Sequence, residues 1–432
     1  MIRKLAAILV CSFLVGAHAW AQDSYPRLGG VLIGGQQDYW TSTYQNQIAT
    51  LNIAIIAAYP RWGSGHGTST EQVIKQIKAK NSKTRIFMYA IAGSQLNPVS
   101  TVWPGLQTKL DQNHWWLYQS GSGLTKVRAI VGAANNYSTN ITPFSKKDSA
   151  GLTYNKWIAG YLADQLGKPS PSADGIYTDD VNWRPRVQGD WNMDGSIDSS
   201  VNPTVGSWLR QGHAAYVDTL RARMPNKLQL ANIADWGGPE TTLTEYKGKF
   251  NGGIMEGMLG KSYSIEKSAG WAAMMARYRK TMAVLASPKL ALFQMSGSPT
   301  DYQGMRYGLA STLMDDGYFA FNDSSKGYYG VTHFDEYGVK LGVSKSSPPT
   351  SAWKSGVYRR DFANGIVLVN PKGNGVRTVS LETSYKKIRG TQAPSVNSGA
   401  TVTSVTLQDR DGIILLRPNV QAAPAAPELI IE

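Results

Sequence analysis

The chain has 432 residues, a formal net charge of +14 and a single cysteine, Cys11. This length can bury a large apolar core, and one cysteine excludes an internal disulfide framework. Lysine and arginine form no dense basic run, so the composition argues against a nucleic-acid-binding protein and predicts a basic surface that could meet an acidic or amine-bearing glycan.

Residues 1–21 have the pattern of an export signal. Arg3 and Lys4 give a positive start, residues 5–16 are apolar, and Ala19-Trp20-Ala21 is a small-x-small cleavage site. The apolar run is too short to span a bilayer, and no later segment reaches spanning length. We therefore expect a secreted or periplasmic protein with no stable membrane insertion.

Short apolar runs with strand-like composition recur eight times, and segments with helical spacing lie between several of them. Strand–helix alternation indicates parallel pairing, and eight repeats predict an α/β protein built on a (β/α)8 TIM barrel over residues 25–342. A doubly wound open sheet is the alternative, but no Gly-rich phosphate loop follows the first strand. The predicted strands are Val31–Gly35, Leu51–Ala58, Arg85–Ile91, Gly175–Asp179, Leu228–Ala234, Gly253–Glu256, Leu290–Met295 and Tyr318–Asn322, and the predicted helices are 153–166, 205–224 and 271–285.

The sequence predicts four further features, one within the barrel range and three after it. The stretch 97–150 is longer than a barrel loop needs and predicts an elaborated loop on the active face. A turn-rich linker, 343–352, precedes short alternating runs over 353–418, which predict a small C-terminal β-sandwich. Residues 419–432 are rich in alanine and proline and predict a mobile tail. The predicted sandwich strands are Gly356–Phe362, Gly365–Asn370, Val376–Leu381, Thr401–Leu407 and Gly412–Leu416.

Two predicted strands end in carboxylates. The run from Asp174 ends in Asp179 and Asp180, and alternation along the strand puts Asp179 on one face and Asp180 on the other. The sixth strand ends in Glu256. Because acids at the carboxyl ends of barrel strands are typical of catalysis, we predict Asp179 as nucleophile or charge stabiliser and Glu256 as general acid/base. The alternative is that these acids cap helices or form ion pairs.

Other polar groups and aromatic rings near the strand ends are candidates for sugar contacts. Sugar rings present C–H faces that stack on flat apolar rings, and amide or carboxylate groups bind hydroxyls. Each of these residue types is also common in turns and in packing. The predicted substrate-binding residues are Tyr177, Asp180, Asn232, Asp235, Asp323, Trp40, Trp62, Trp183 and Trp236.

A loop after the fourth strand has the oxygen spacing of a calcium site. Oxygen-bearing side chains occupy positions 1, 3, 5 and 9, and Gly195 occupies position 6, as at the front of an EF-hand loop. Position 12 is Val201 instead of glutamate, so the loop is not an EF-hand. The alternative is a solvated acidic turn. The predicted ligands of a structural calcium ion are Asp190, Asn192, Asp194 and Asp198.

Several segments resemble hypothetical glycosyl hydrolase family fifteen. They are Trp115-Trp116-Leu117-Tyr118, Asp174–Trp183, Gly253–Glu256 and Gly365–Pro371. The resemblance implies a TIM barrel, a C-terminal β-sandwich and hydrolysis of glycosidic bonds, with the nucleophile-like role on Asp179. In similar barrels the acid/base lies on the fifth or sixth strand, and here only the sixth ends in a glutamate.

The predicted function is therefore an exported glycoside hydrolase that acts on a polysaccharide or oligosaccharide. The substrate could contain acidic or amino sugars, and no cofactor is expected for the chemistry. The scattered histidines lack metal-ligand spacing, which argues against a zinc hydrolase. A catalytically inactive barrel that binds glycans or assists polysaccharide biosynthesis is the alternative, and a lyase or transferase is a third possibility.

Overall fold

The protein is described by a computed structural model that covers residues 24–57, 67–120, 123–130, 132–238 and 243–418. The predicted export signal, the predicted tail and Trp62 lie outside the described residues.

The larger part of the chain is a barrel of eight parallel strands, β1 to β8, which pair in the order of the sequence. The last strand returns to the first, because Leu28 and Phe319 form a parallel bridge and the Phe319 amide donates to the Arg27 carbonyl at 2.8 Å. The strands are Gly29–Val31, Ile53–Ile56, Arg85–Ile91, Gly175–Asp179, Leu228–Asn232, Gly252–Leu259, Leu290–Gly297 and Tyr318–Asp323.

Helices follow most of the strands and cover the outside of the barrel. Helix α5 begins with Pro203 at its first turn and an Asn202 side chain that accepts from the Thr204 amide, both of which favour a helix start. The segment 233–251 between β5 and β6 contains only turns in its described part. The helices α1 to α7 are Ser42–Ile48, Thr70–Lys80, Leu106–Gln112, Tyr154–Leu162, Pro203–Arg223, Ile265–Val284 and Tyr302–Leu313.

Alternation along the strands fills the barrel interior with one apolar layer. Phe87, Tyr177, Leu230 and Ile254 belong to a buried cluster inside the barrel, and each comes from a different strand. The side chains two residues further along each strand point to the same interior, one layer closer to the carboxyl ends. This layer contains the candidate catalytic residues described below.

The eight predicted strands are confirmed, although the first is displaced. It was predicted over 31–35 and lies at Gly29–Val31. A Cβ on Gly29 would come within 2.8 Å of the Leu292 side chain, and one on Gly30 within 2.8 Å of Leu51. The barrel therefore needs glycine at these positions, and glycine contributes nothing to an apolar pattern.

The predicted elaborated loop is present between β3 and α4. It contains helix α3 and two short antiparallel ribbons, Ser94–Leu96 with Asn136–Ser138 and Tyr118–Ser120 with Gly123–Lys126. Trp115 and Trp116 in this loop are fully buried and belong to the main apolar core, so the loop is packed against the barrel and its helices.

The C-terminal part is a five-stranded antiparallel sheet whose inward side chains form a separate apolar cluster. Its other face packs on helix α7, where Arg306 and Asp411 form a buried ion pair at 3.0 Å. Arg360 also reaches the barrel, and donates to Asp316 at 2.6 Å. In the described residues the predicted sandwich is thus one sheet held against the barrel. Its strands β9 to β13 are Tyr358–Phe362, Gly365–Asn370, Arg377–Lys387, Thr401–Leu407 and Asp411–Leu416.

Replacing Gly253 by alanine should destabilise the barrel strongly. Gly253 is the second residue of β6 and has φ 137°, and a Cβ there would meet the backbone oxygen of Ala231 on β5. We expect the free energy of unfolding, measured with urea, to fall by about 3 kcal/mol or more. Gly160→Ala in α4 is the matched control, because a Cβ there meets nothing and alanine favours a helix by about 0.5–1 kcal/mol. Equal stability of the two variants would contradict this account of β6.

Candidate active site

Asp179 is the last residue of β4 and lies at the carboxyl end of the barrel. Its Oδ2 accepts a hydrogen bond from the Tyr89 hydroxyl at 2.6 Å. Its Oδ1 accepts from the Asp180 amide at 2.9 Å and from the Asn232 side-chain amide at 3.0 Å. Three donors from three chain segments therefore fix the orientation of this carboxylate and leave it half-buried at the mouth.

Glu256 lies on β6, two strands round the barrel from Asp179. Its Oε1 accepts from the Tyr328 hydroxyl at 2.6 Å and from the Tyr263 hydroxyl at 3.4 Å. Like Asp179, this carboxylate is half-buried. Glu256 follows Ile254 by two residues, as Asp179 follows Tyr177. Both acids therefore lie on the inward face of their strands, one layer beyond the apolar side chains inside the barrel.

The Asn232 amide joins the two carboxylates. Its Nδ2 donates to Asp179 Oδ1 at 3.0 Å and to Glu256 Oε2 at 3.4 Å. The two acceptor oxygens can therefore be no further apart than these two distances together. The bound applies to one oxygen of each acid, and it leaves room for the separation of about 5–5.5 Å between carboxyl groups that a retaining glycosidase uses.

The tyrosine hydroxyls beside the two acids remain donors over the whole working pH range. Burial, and then the negative charge of Asp179, raises the pKa of Tyr89 above its ordinary value of 10.0. Burial, and then the charge of Glu256, raises the pKa of Tyr328 in the same direction. Each carboxylate thus keeps one short, permanent O–H donor, which holds it in position.

A second acidic cluster lies beside Asp179. Asp180 has φ 56°, in the left-handed region, and its carboxylate lies 3.8 Å from Arg186. Burial, and then the charge of Asp179, raises the pKa of Asp180 to about 6. Burial raises the pKa of Asp235 to about 7, against the lowering influence of Arg186. The pKa values of two carboxylates near one arginine are therefore both raised toward neutral pH.

Asp235 should make the stability of the parent fall as pH rises. Its pKa is about 7 in the folded protein against 3.8 for an ordinary aspartate, so the folded state binds more protons than the unfolded state between these values. The free energy of unfolding must then decrease across that window. We expect Asp235→Asn to reduce the decrease between about pH 4 and pH 7 by at least about 1 kcal/mol, the equivalent of one pKa unit.

Urea unfolding at several pH values measures this effect. The exposed Asp218, which pairs with Lys249, provides the matched control as Asp218→Asn. A parent and an Asp235→Asn variant with the same pH dependence would show that Asp235 does not hold its proton in the folded state.

The structure brings several of the predicted substrate-binding residues together near the two acids. Asn232 and Asp180 contact Asp179 directly, and Asp235 lies in the Arg186 cluster. Tyr177 is fully buried beneath Asp179, and its hydroxyl lies 3.4 Å from Oδ1. Tyr177 therefore supports the carboxylate from below.

The predicted aromatic contacts are placed differently. Trp236 is 1% exposed, donates to the Val181 carbonyl at 2.8 Å and stacks on Tyr246, so its ring is in the core and cannot stack on a sugar. Trp183 is half-buried beside the Arg186 cluster and keeps part of its ring accessible. Trp40 is half-buried against the main core.

Asp323 serves the turn after β8. It is 6% exposed, and its Oδ1 accepts from both the amide and the hydroxyl of Ser325, at 2.9 and 2.7 Å. The hydrogen bonds from Ser325 lower the pKa of this carboxyl against the opposing effect of burial. With these bonds made, Asp323 is a turn-stabilising residue and is not available as a hydroxyl ligand.

Sequence reasoning missed the residues that orient the two acids. Tyr89 lies two residues after the inward-facing Phe87, so alternation along β3 could have located it. Tyr328, Tyr263 and Arg186 come from loops, and no local pattern marks them. Their positions depend on contacts such as the hydrogen bond from the Gly34 amide to the Tyr328 carbonyl at 3.0 Å.

The predicted calcium loop folds on its own amides. Asp190 Oδ2 accepts from the Gly195 amide at 3.0 Å, and Asp198 Oδ2 accepts from the Trp191 amide at 2.8 Å. Asp194 accepts from the Asn192 side chain at 2.8 Å. Within the described residues, no group of three or more acidic, histidine or cysteine side chains is already placed to hold a metal.

The sequence match to a known family agrees with this geometry. The family described as hypothetical glycosyl hydrolase family 15 matches residues 78–366, which include both carboxylates and their tyrosine partners. The chain belongs to this family. No curated protein matches the sequence.

Solved structures of glycoside hydrolases share the fold. Eubacterium rectale Amy13B is 8% identical, with 93% of this chain and 96% of that chain covered and a TM-score of 0.51. An alpha-amylase from Malbranchea cinnamomea is 8% identical over 90% of this chain and 96% of its own, with a TM-score of 0.48. The glycoside hydrolase domain of PelA from Pseudomonas aeruginosa is 10% identical over 72% and 99%, with a TM-score of 0.42. At such identities the likeness concerns the fold alone, a TIM barrel of the glycoside hydrolase type.

In the part of the chain that the structure describes, no helix is both long and apolar enough to cross a membrane.

Proposed function

We propose that this protein is a glycoside hydrolase that cleaves a polysaccharide by a two-carboxylate, retaining mechanism. The observation that carries the proposal is the Asn232 amide, which donates to Asp179 and Glu256 at 3.0 and 3.4 Å in the barrel mouth. Retaining enzymes place their carboxyl groups about 5–5.5 Å apart, and one amide that bridges an oxygen of each acid is compatible with that spacing.

The roles follow from the surroundings of each acid. Asp179 is held by hydrogen bonds from Tyr89, Asp180 and Asn232, which fix the orientation that a nucleophile requires. It would attack the anomeric carbon and form a glycosyl–enzyme ester. Glu256 would protonate the departing glycosidic oxygen and then remove a proton from the water that hydrolyses the ester.

Product analysis tests this proposal. The parent protein is incubated with neutral, acidic and amino-sugar polysaccharides, new reducing ends are measured, and the anomer first formed is identified by NMR. We expect new reducing ends with the anomeric configuration of the substrate. An inverted product would overturn the retaining mechanism, and an unsaturated, ultraviolet-absorbing end would identify a lyase.

Export is the second part of the proposal. The support is the signal pattern of residues 1–21, with a cleavage site after Ala21. N-terminal sequencing of the protein recovered outside the cytoplasm should begin at Gln22. Recovery of the intact chain from the cytoplasm alone would contradict export.

A structural calcium ion in the loop 190–198 is the third part. Asp190 is 5% exposed, its Oδ1 has no hydrogen-bond partner among the described residues, and its Oδ2 already points into the loop at the Gly195 amide. A buried carboxylate oxygen without a partner is costly, and a cation would satisfy it. Binding would require Asp194 and Asp198 to turn from their amide donors to the ion. The ion would brace the loop and take no part in the chemistry.

Thermal unfolding tests the calcium site. We expect millimolar calcium to stabilise the parent by about 1–3 kcal/mol, as saturating ligand does, and EGTA to remove the effect. Asp190→Asn should be insensitive to calcium, and magnesium should have a smaller effect because it favours smaller, rigid octahedral sites. An unchanged melting temperature of the parent with calcium would exclude the site.

A further inference from the structure

A cavity of about 420 Å³ opens beside the catalytic pair on the β1–β3 side of the barrel mouth. Its volume is in the range of sites for small organic ligands. Tyr89 connects the two places, because it lines the cavity and its hydroxyl donates to Asp179 at 2.6 Å. Ile91, which also lines the cavity, is the strand neighbour of Asp179. The cavity and the carboxylate are therefore joined through two neighbouring residues of β3.

The buried lining of the cavity is apolar except for Gln95, whose side chain donates to the Ile91 carbonyl at 2.9 Å. The apolar part is the floor of the cavity. It is formed by the buried side chains of Ala90 on β3, Leu106 on α3, and Ile158 and Leu162 on α4. A hydroxyl group that entered this floor would lose its hydrogen bonds to water without replacement, which is costly. An unsubstituted sugar carries hydroxyls around its ring and fits such a floor poorly, whereas a methyl or acyl group fits it well.

The rim of the cavity is polar and accessible. Gln36 and Ser100 line it, and the Gln36 side-chain amide makes no hydrogen bond within the described residues. A free primary amide can donate and accept at once, which suits a ligand amide. Trp103 adds a half-buried aromatic wall. The cavity thus combines an apolar floor, an aromatic wall and an unpaired amide at its entrance.

We propose that this cavity is a binding subsite for an N-acylamino sugar next to the bond that is cleaved. The acyl methyl group would enter the apolar floor, and the acylamido group would pair with Gln36. The inference rests on the proposed function, since it assigns the substrate class of the same site. The substrate would then be a polymer that contains N-acylated hexosamine.

Binding measurements with neutral probes test the proposal without charge effects. N-acetylglucosamine and N-acetylgalactosamine trisaccharides are titrated calorimetrically against the Asp179→Asn protein, in parallel with the corresponding hexose trisaccharides. We expect at least one N-acetylated probe to bind at least tenfold more tightly than its hexose counterpart. Equal affinities, or no binding of either N-acetylated probe, would overturn the proposal.

Two variants locate the effect in the cavity. Val102→Trp fills it from the half-buried rim and should weaken binding of the N-acetylated probe at least tenfold, with the hexose unaffected. Val376→Trp, at an exposed position of the C-terminal part, is the matched control and should change neither affinity. Gln36→Leu, which preserves the size of a partly exposed side chain, should weaken the N-acetylated probe alone. Unchanged preference in both Val102→Trp and Gln36→Leu would overturn the assignment.

Hydrolysis by the parent is followed separately, so the two proposals can fail independently. If the parent releases reducing ends without any preference for N-acetylated material, the proposed hydrolase activity stands and the proposed subsite is wrong. If the protein binds N-acetylated probes selectively but releases reducing ends from no polysaccharide, the proposed subsite stands and the proposed hydrolase activity is wrong.

Discussion

Asp179→Asn is expected to lower kcat/KM by about 10³-fold or more, at the upper end of what a single catalytic group contributes. The amide cannot attack the anomeric carbon or balance the positive charge that develops there. The exchange preserves the shape of the site, because the Tyr89 hydroxyl that now donates to Oδ2 at 2.6 Å can accept from an amide instead. Glycan affinity should therefore persist while turnover is lost, and parallel kinetics and calorimetry measure the two quantities.

The control for this variant is Asp164→Asn, which makes the same change at an exposed residue paired with Arg223. It should keep the parent's kcat/KM. If Asp179→Asn retained the parent's turnover, the role of Asp179 as catalytic carboxylate would be wrong, and an inactive glycan-binding barrel or another acid would have to be considered.

Glu256→Gln should cost about 10²–10⁴-fold in turnover of the polysaccharide, the usual contribution of a general acid/base. Glutamine has one acceptor oxygen where Glu256 uses two, since Tyr328 donates to Oε1 at 2.6 Å and Asn232 to Oε2 at 3.4 Å. With the amide oxygen facing Asn232, the new NH2 group faces the Tyr328 hydroxyl, which can accept from it, so the site keeps its shape. Protonation of the departing oxygen is abolished.

The leaving group distinguishes this role from that of Asp179. The acidic phenol of an activated aryl glycoside leaves without being protonated. Formation of the glycosyl–enzyme from such a substrate should therefore be largely preserved in Glu256→Gln and absent in Asp179→Asn. Pre-steady-state release of the phenol measures this step. Equal losses for the polysaccharide and for the activated aryl glycoside would contradict an acid/base role for Glu256.

The barrel could be predicted because its signals are local and repeated. Apolar strand runs such as Arg85–Ile91 and Gly175–Asp179 match the observed strands residue for residue. The same alternation explains why Asp179 and Glu256 point into the mouth. The first strand was misplaced because Gly29 and Gly30 are there for close packing, a requirement that depends on the opposite side chains of Leu292 and Leu51.

The hydrogen-bond partners of the two candidate catalytic acids could not be predicted in the same way. Tyr328 reaches Glu256 across 72 residues of sequence, and Tyr89 reaches Asp179 across 90. Such pairs exist only once the barrel has closed. Trp236 illustrates the converse, since a ring that directly follows a strand resembles a sugar platform in the sequence and is buried against Tyr246 in the fold.

The most direct test of the central claim is the release of reducing ends from a panel of neutral, acidic and amino-sugar polysaccharides by the purified mature protein and its Asp179→Asn variant in parallel. We expect the parent to release reducing ends from at least one polysaccharide. From the same polysaccharide, we expect release by the Asp179→Asn variant to be lower by about 10³-fold. Equal release by both proteins would contradict the assignment of Asp179, and no release by the parent from any member of the panel would contradict the proposed hydrolase.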